Sequence, residues 1–166
     1  MNRLWSPWRA AHIETYKPPL PGSGSVFSRI AAAPEHDAAN FVVWRGQTVF
    51  VVMNLYPYNN GHLLIVPYAE VPTYAALDDA THVELARTIR QAMGWLRAAL
   101  EPDGFNVGIN EGRAAGAGIP EHLHVHIVPR WEADTNFMPV VAATKVIPEA
   151  MQATYAKLIA AVNGAG

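Results

Sequence analysis

His122-Leu123-His124-Val125-His126-Ile127-Val128-Pro129-Arg130 sets an imidazole at every second position and a branched apolar residue between. That period of two is the period of a β-strand, whose successive side chains point to opposite faces. The three imidazoles therefore share one face, with neighbours roughly 7 Å apart, while Leu123, Val125 and Ile127 share the other. Three polar rings buried side by side without partners would cost too much for the row to be a packing accident. Such a row can ligate a metal, since His-x-His on a strand is also ligand spacing, or it can present one imidazole as a nucleophile with the others as supports.

Moving outward, His62 opens the apolar stretch His62-Leu63-Leu64-Ile65-Val66-Pro67 directly after Gly61, so its ring is placed at the mouth of the same sheet. Phe41 to Trp44 and Thr48 to Asn54 flank Arg45-Gly46-Gln47 and read as a hairpin. Asn54 and Asn110 each end a strand, a place where Asn alone is an ordinary turn residue. Gly112, Gly116 and Gly118 surround the loop that enters the histidine strand at about Glu121, and glycines let backbone amides turn toward an anion without a Cβ in the way.

Leu85, Ile89, Met93, Leu96 and Leu100 recur at helical spacing over 78–100, with Asp78 or Asp79 as the cap and Pro102-Asp103-Gly104 as the stop. Phe105 to Asn110 reads as a strand joined by the Gly/Ala loop to the histidine strand, which favours antiparallel pairing. Pro148 suits a first helical turn, and Met151, Tyr155, Leu158, Ile159 and Val162 form a second apolar face. The fold class that follows is α+β, an antiparallel β-sheet with two main helices. Residues 1–24, with Trp5, Trp8, Tyr16 and several Pro and Gly, read as an aromatic arm before a core over 25–166.

At 166 residues and 51% hydrophobic content the chain suits one domain. A net charge of −2 and a pI of about 6.4 argue against a nucleic-acid partner, which needs a clustered basic surface. With no cysteine there is neither disulfide nor thiolate metal site. The opening residues lack a secretory core and no apolar run reaches membrane length, so a cytoplasmic protein without a membrane partner is expected.

Taken together these motifs resemble the histidine triad (HIT) superfamily of nucleotide-binding hydrolases and transferases. Its His-φ-His-φ-His-φ-φ signature is complete at 122–128, where φ is apolar. The likeness extends through Leu4-Trp5-Ser6-Pro7-Trp8-Arg9, Asn60 to Pro67, Asn110-Glu111-Gly112, Ala115 to Gly118 and Asp134-Thr135-Asn136-Phe137-Met138-Pro139. Pro129-Arg130-Trp131 and the last of these stretches resemble most the branch of fragile-histidine-triad-type dinucleoside polyphosphate hydrolases and bacterial diadenosine tetraphosphate phosphorylases.

The resemblance implies a homodimer and a two-step nucleotidyl transfer in which His124 attacks the α-phosphorus, most plausibly of diadenosine tetraphosphate. It casts His122, His126 and His62 as supports that bind phosphate oxygens or orient the central ring, with His126 nearest the leaving group. The amides around Gly116, Gly118 and Ile119 would stabilise charge on phosphoryl oxygens, Asn54 would hold the ribose, and Asn110 would hold the loop or the phosphate. No cofactor is required, and magnesium can enter only as the counter-ion of the polyphosphate. Alternatives are a phosphorylase of the same substrate, a nucleoside phosphoramidate hydrolase, a zinc enzyme of unrelated type, and a nucleotide-binding module without turnover.

Two departures stand out. Many bacterial relatives carry Cys-x-x-Cys, part of a structural zinc site, where this chain reads Ser25-Val26-Phe27-Ser28; hydroxyls are poor zinc ligands, so that zinc is expected to be absent. Gly118 stands where related enzymes carry Ser or Gln, which removes a side-chain donor to phosphate and tilts the acceptor toward water.

Overall fold

A computed structural model describes residues 24–134 and 149–164. The arm over 1–23, including Leu4 to Arg9, the segment from Thr135 to Pro139, the apolar stretch 137–141 and Pro148 lie outside them. Five strands form one antiparallel sheet: β1 (Val42–Arg45), β2 (Val49–Met53), β3 (Leu63–Pro67), β4 (Gly104–Ile109) and β5 (Val125–Arg130), in the order β1-β2-β3-β5-β4. Helices α1 (Val26–Ala31), α2 (Asp79–Leu100) and α3 (Met151–Asn163) complete the α+β architecture.

Alternation along the strands sorts side chains into two layers. Val49, Val51, Met53, Leu63, Ile65, Leu123, Val125 and Ile127 fall on the face covered by α2 and α3. There they meet Leu85, Ile89, Met93, Leu96 and Leu100 of α2 and Met151, Tyr155, Leu158 and Val162 of α3. Ile159, expected on the same face, falls outside this core, one step around the helix from Leu158. Phe50, Val52, Leu64 and Val66 point the other way and are covered by Phe27 of α1. His122, His124 and His126, the last of them in β5, share this second face, so that layer is oil at β1 to β3 and imidazole along the stretch that runs into β5.

Each element starts and stops for a local reason. The Asp78 carboxylate accepts the N–H of Thr81 at 2.8 Å and caps α2 as expected. The side chain of Ser25 does the same for α1, accepting from Ser28 N at 3.1 Å, a short helix that the sequence reading did not contain. Arg45 fastens the other end of α1, donating to the carbonyls of Ile30 at 2.9 Å and Ala31 at 3.1 Å while its guanidinium pairs with Asp37.

The ladder of β5 begins at Val125, later than the expected Glu121. Continuing the register Ile65 to Val125 would set Leu123 opposite Pro67, which has no N–H to give. Leu123 instead donates to Val71 O at 2.8 Å, and the alternation persists without the ladder. Gly61 turns the chain into β3 with a φ of +71°, close under Leu96 and Leu100 of α2, where an added Cβ would collide with Leu100. No helix among the described residues is long and apolar enough to cross a membrane.

Candidate active site

His124 is 6% exposed, and its Nδ1–H donates to the carbonyl of His122 at 2.9 Å. An imidazole bonded in this way carries its hydrogen on Nδ1 and keeps the lone pair on Nε2. Burial holds its pKa below the ordinary 6.5, outweighing the hydrogen bond to the His122 carbonyl, which favours the protonated ring. The neutral form is therefore favoured.

His126 lies beside it, ring centroids 4.8 Å apart, at the end of a chain of hydrogen bonds whose direction can be worked out. Tyr58 N–H and the Asn54 side-chain amide both donate to Nδ1 of His62, at 3.0 and 3.3 Å. With two donors on Nδ1, the hydrogen of a neutral His62 must sit on Nε2, which donates to Nδ1 of His126 at 3.0 Å. His126 in turn carries its hydrogen on Nε2, the nitrogen 3.3 Å from the Asn110 amide. Amide oxygen and nitrogen are assigned from such networks, and the half-turn that exchanges them lets Asn110 Oδ1 accept that hydrogen. Tyr58 also stacks on the His126 ring, 12° from parallel, which holds its plane.

The turn that supplies Tyr58 is itself tied down. Asn59 donates to Pro129 O at 3.1 Å and to Asp134 at 2.8 Å, and Asp134 also receives Arg130 in a paired fork. Fork-like pairing of this kind fixes direction as well as distance.

His122 is enclosed within the protein. It is 0% exposed, its Nε2–H donates to Pro67 O at 2.8 Å, and its Nδ1 accepts from the Ser25 hydroxyl at 2.6 Å. Both nitrogens are thus engaged within the protein, and of the two expected roles, binding phosphate or orienting the central ring, the geometry suits the second, since the His122 carbonyl accepts the Nδ1–H of His124. Burial lowers its pKa more than the Pro67 carbonyl and the carboxylates of Glu70 and Glu121 raise it. His62, 1% exposed, meets the row through its hydrogen bond to His126. Asn54 is half-buried and spends Oδ1 on Tyr56 N at 3.0 Å, closing the turn after β2.

The loop before β5 turns at Gly112 and again at Gly116, both at positive φ. Ile119 packs on the core face of α1 and accepts His122 N–H at 3.3 Å. Among the described residues, neither the Gly118 nor the Ile119 amide donates to another backbone carbonyl, and a Cβ on Gly118 would meet nothing within 4 Å. Gly118 thus stands exposed in the loop that leads to the histidine row.

Nor do the residues at 25 and 28 fit zinc. The hydroxyl of Ser25 already fills the lone pair on His122 Nδ1, and that of Ser28 donates to Glu70. Among the described residues no group of three or more His, Cys, Asp or Glu is gathered to hold a metal. Glu70 and Tyr58 carry no signal in the sequence, and Ser25 and Phe27 figure there only in the stretch that stands where relatives carry Cys-x-x-Cys. Only Ser25 left a signal there, a helix-capping residue ahead of an apolar pair; Glu70 is 45 positions away in sequence and unreadable without the fold.

An antiparallel sheet that carries a histidine row on one face and two helices on the other is the histidine triad architecture. The chain belongs to that family: the HIT domain matches residues 35–133. It is 40% identical over 157 residues to the AP-4-A phosphorylase of Mycobacterium tuberculosis, spanning 93% of this chain and 80% of that protein. A shorter likeness, 32% over 93 residues, joins it to the asymmetrical bis(5'-nucleosyl)-tetraphosphatase of Schizosaccharomyces pombe, across 56% of this chain and 50% of that one. Among solved structures, a zinc-bound histidine triad family protein from Mycobacterium smegmatis superposes with a TM-score of 0.68 over 87% of this chain and 98% of the other, at 22% identity. That likeness concerns the fold.

Proposed function

We propose that this protein is a nucleotidyltransferase that cleaves dinucleoside polyphosphates, diadenosine tetraphosphate foremost, and that inorganic phosphate is its acceptor. The observation that carries this reading is the likeness to an AP-4-A phosphorylase at 40% identity across 93% of the chain. In the first displacement Nε2 of His124 forms a bond to the α-phosphorus as the bridging P–O bond breaks and ATP leaves. His126, with hydrogen on Nε2, stands where it can donate to the departing oxygen. In the second, a phosphate oxygen attacks the nucleotidyl-histidine, the P–N bond breaks, and ADP is released. The Gly118 and Ile119 amides suit the phosphoryl oxygens, since donors already aimed at developing charge need no reorganisation, and Gly116 shapes the loop that presents them. Asn54 is assigned to the ribose through the second lone pair of Oδ1.

Hydrolysis is the second reading, favoured by the shorter likeness to a tetraphosphatase and by the missing side-chain donor at Gly118. The products decide between them. Incubated with diadenosine tetraphosphate, a phosphorylase yields ADP plus ATP and accelerates with added phosphate; AMP plus ATP at a rate indifferent to phosphate would establish the hydrolase instead.

No bound metal belongs to this reading, and magnesium accompanies the substrate only. One zinc per chain by elemental analysis, with activity lost on chelation, would overturn that part. A homodimer is also proposed: among the described residues β4 ends the sheet with no strand on its outer edge and Val107 is 44% exposed, the kind of edge that a second chain covers. Light scattering on the eluted protein gives the mass. A cytoplasmic address completes the reading, on the cysteine-free composition.

A further inference from the structure

Helix α1 begins at a residue that is 0% exposed and whose hydroxyl has two duties. Ser25 Oγ accepts Ser28 N–H at 3.1 Å, and its single hydrogen goes to His122 Nδ1 at 2.6 Å. His122 is thereby fixed with its own hydrogen on Nε2, where Pro67 O receives it at 2.8 Å. A ring held at both nitrogens cannot turn. Its residue supplies the carbonyl that takes the Nδ1–H of His124. Behind Ser25 stands Glu70, which accepts Ser25 N–H at 2.9 Å and the Ser28 hydroxyl. Phe27, on the same helix, lies against both rings, at 5.5 Å from His122 and 5.1 Å from His124.

We propose that Ser25, backed by Ser28 and Glu70, is a metal-free positioning device for the nucleophile: it fixes the His122 ring and so holds the carbonyl that keeps Nε2 of His124 bare and aimed. The chemistry explains why a hydroxyl can do this alone. Two thiolates facing an imidazole lone pair bring only electron pairs, and a cation must sit among them. A hydroxyl brings its own hydrogen to the lone pair. Glu70 completes the circuit by taking the hydrogen of Ser28, which leaves no unfilled donor around Ser25. The proposal rests on the reading of His124 as the nucleophile; Ser25 and Glu70 touch no substrate and act only through His122.

The test compares wild type, Ser25→Ala, Ser25→Thr and Glu70→Ala by nitrogen NMR of the imidazoles, which reads the tautomer of each histidine, and by single-turnover formation of nucleotidyl-histidine. In Ser25→Ala, His122 loses its single tautomer, the Nδ1–H population of His124 falls, and the covalent step slows about tenfold. KM stays within about twofold, since ground-state contacts are untouched. Ser25→Thr restores both readouts. A folded Ser25→Ala with wild-type tautomers and rate overturns the proposal. If Ser25→Ala fails to fold, Glu70→Ala carries the test, because Glu70 is an exposed residue: a smaller fall in rate with the same tautomer change supports the proposal, and no change in either overturns it. If wild type forms no nucleotidyl-histidine, the nucleophile assignment fails and the tautomer change alone decides the positioning claim.

Discussion

His122 and His126 stand two residues to either side of His124 on one face of the stretch that runs into β5, yet their partners are of opposite kinds. His122 is sealed under α1 with both nitrogens spent on Ser25 and Pro67. His126, 8% exposed, receives a hydrogen bond from His62 and delivers its own hydrogen on the side of Asn110. Neither residue type nor position on the strand separates them. What differs is the cover: a capped helix arrives over one end of the row, and the turn bearing Asn54 and Tyr58 arrives beneath the other. Alternation creates a face, and the neighbours decide which member of it is structural and which is chemical.

The largest test of that division is His124→Ala. With the attacking nitrogen gone, turnover should fall by at least about a thousandfold while nucleoside monophosphate binding, followed by calorimetry, persists. Retained turnover would move the nucleophile elsewhere. On the opposite face of the same strand, Ile127→Ala should do the reverse. Ile127 is 0% exposed in the core under α2 and α3, so its truncation should cost about 2–5 kcal/mol in urea melts and leave kcat of the folded protein within about twofold.

The two ends of the hydrogen-bond chain sharpen the comparison further. His126→Ala should slow the covalent step about a hundredfold, and His62→Ala less, because His62 acts only by setting where the hydrogen of His126 sits. Equal losses would mean that His62 meets the substrate itself.

The smallest effect is a shift with pH. Burial depresses His124 below 6.5, so the acid limb of the covalent step should fall below that value. His122 and His124 both bind protons more readily in the unfolded chain than in the folded one. Their contribution to stability is therefore full above about pH 6.5 and declines as pH falls toward their depressed folded values. Urea midpoints between pH 7 and pH 5 read it; a midpoint that rises on acidification would contradict the buried, neutral assignment.

Much of this was legible in the chain because it depends on period. The strand alternation of 122–128 assigned Leu123, Val125 and Ile127 to the core, and the helical spacing of Leu85 to Leu100 found α2 to within one residue. The sequence could also place His62 beside the row. It could not say that His122 is closed off, since that depends on Ser25, 97 positions away, and on a helix of six residues too short to show a periodic face. The start of β5 was equally hidden, because the pairing limit comes from Pro67 on a different strand. Long-range partners are chosen by the assembled sheet, and local patterns carry no record of them.

Gly61 deserves a last consideration as a matter of tolerance. Its backbone is turned to +71°, and an added Cβ would press on the side-chain ends of Leu100 and Leu96 in the last turns of α2. The next residue is His62, where the hydrogen-bond chain receives its direction. A single hydrogen atom in place of a methyl group thus lets the end of α2 lie close against the turn that leads to the imidazoles. Anyone repacking α2 near Leu96 or Leu100 for a sturdier protein would be adjusting, through that one narrow gap, the alignment of imidazoles on the far side of the sheet.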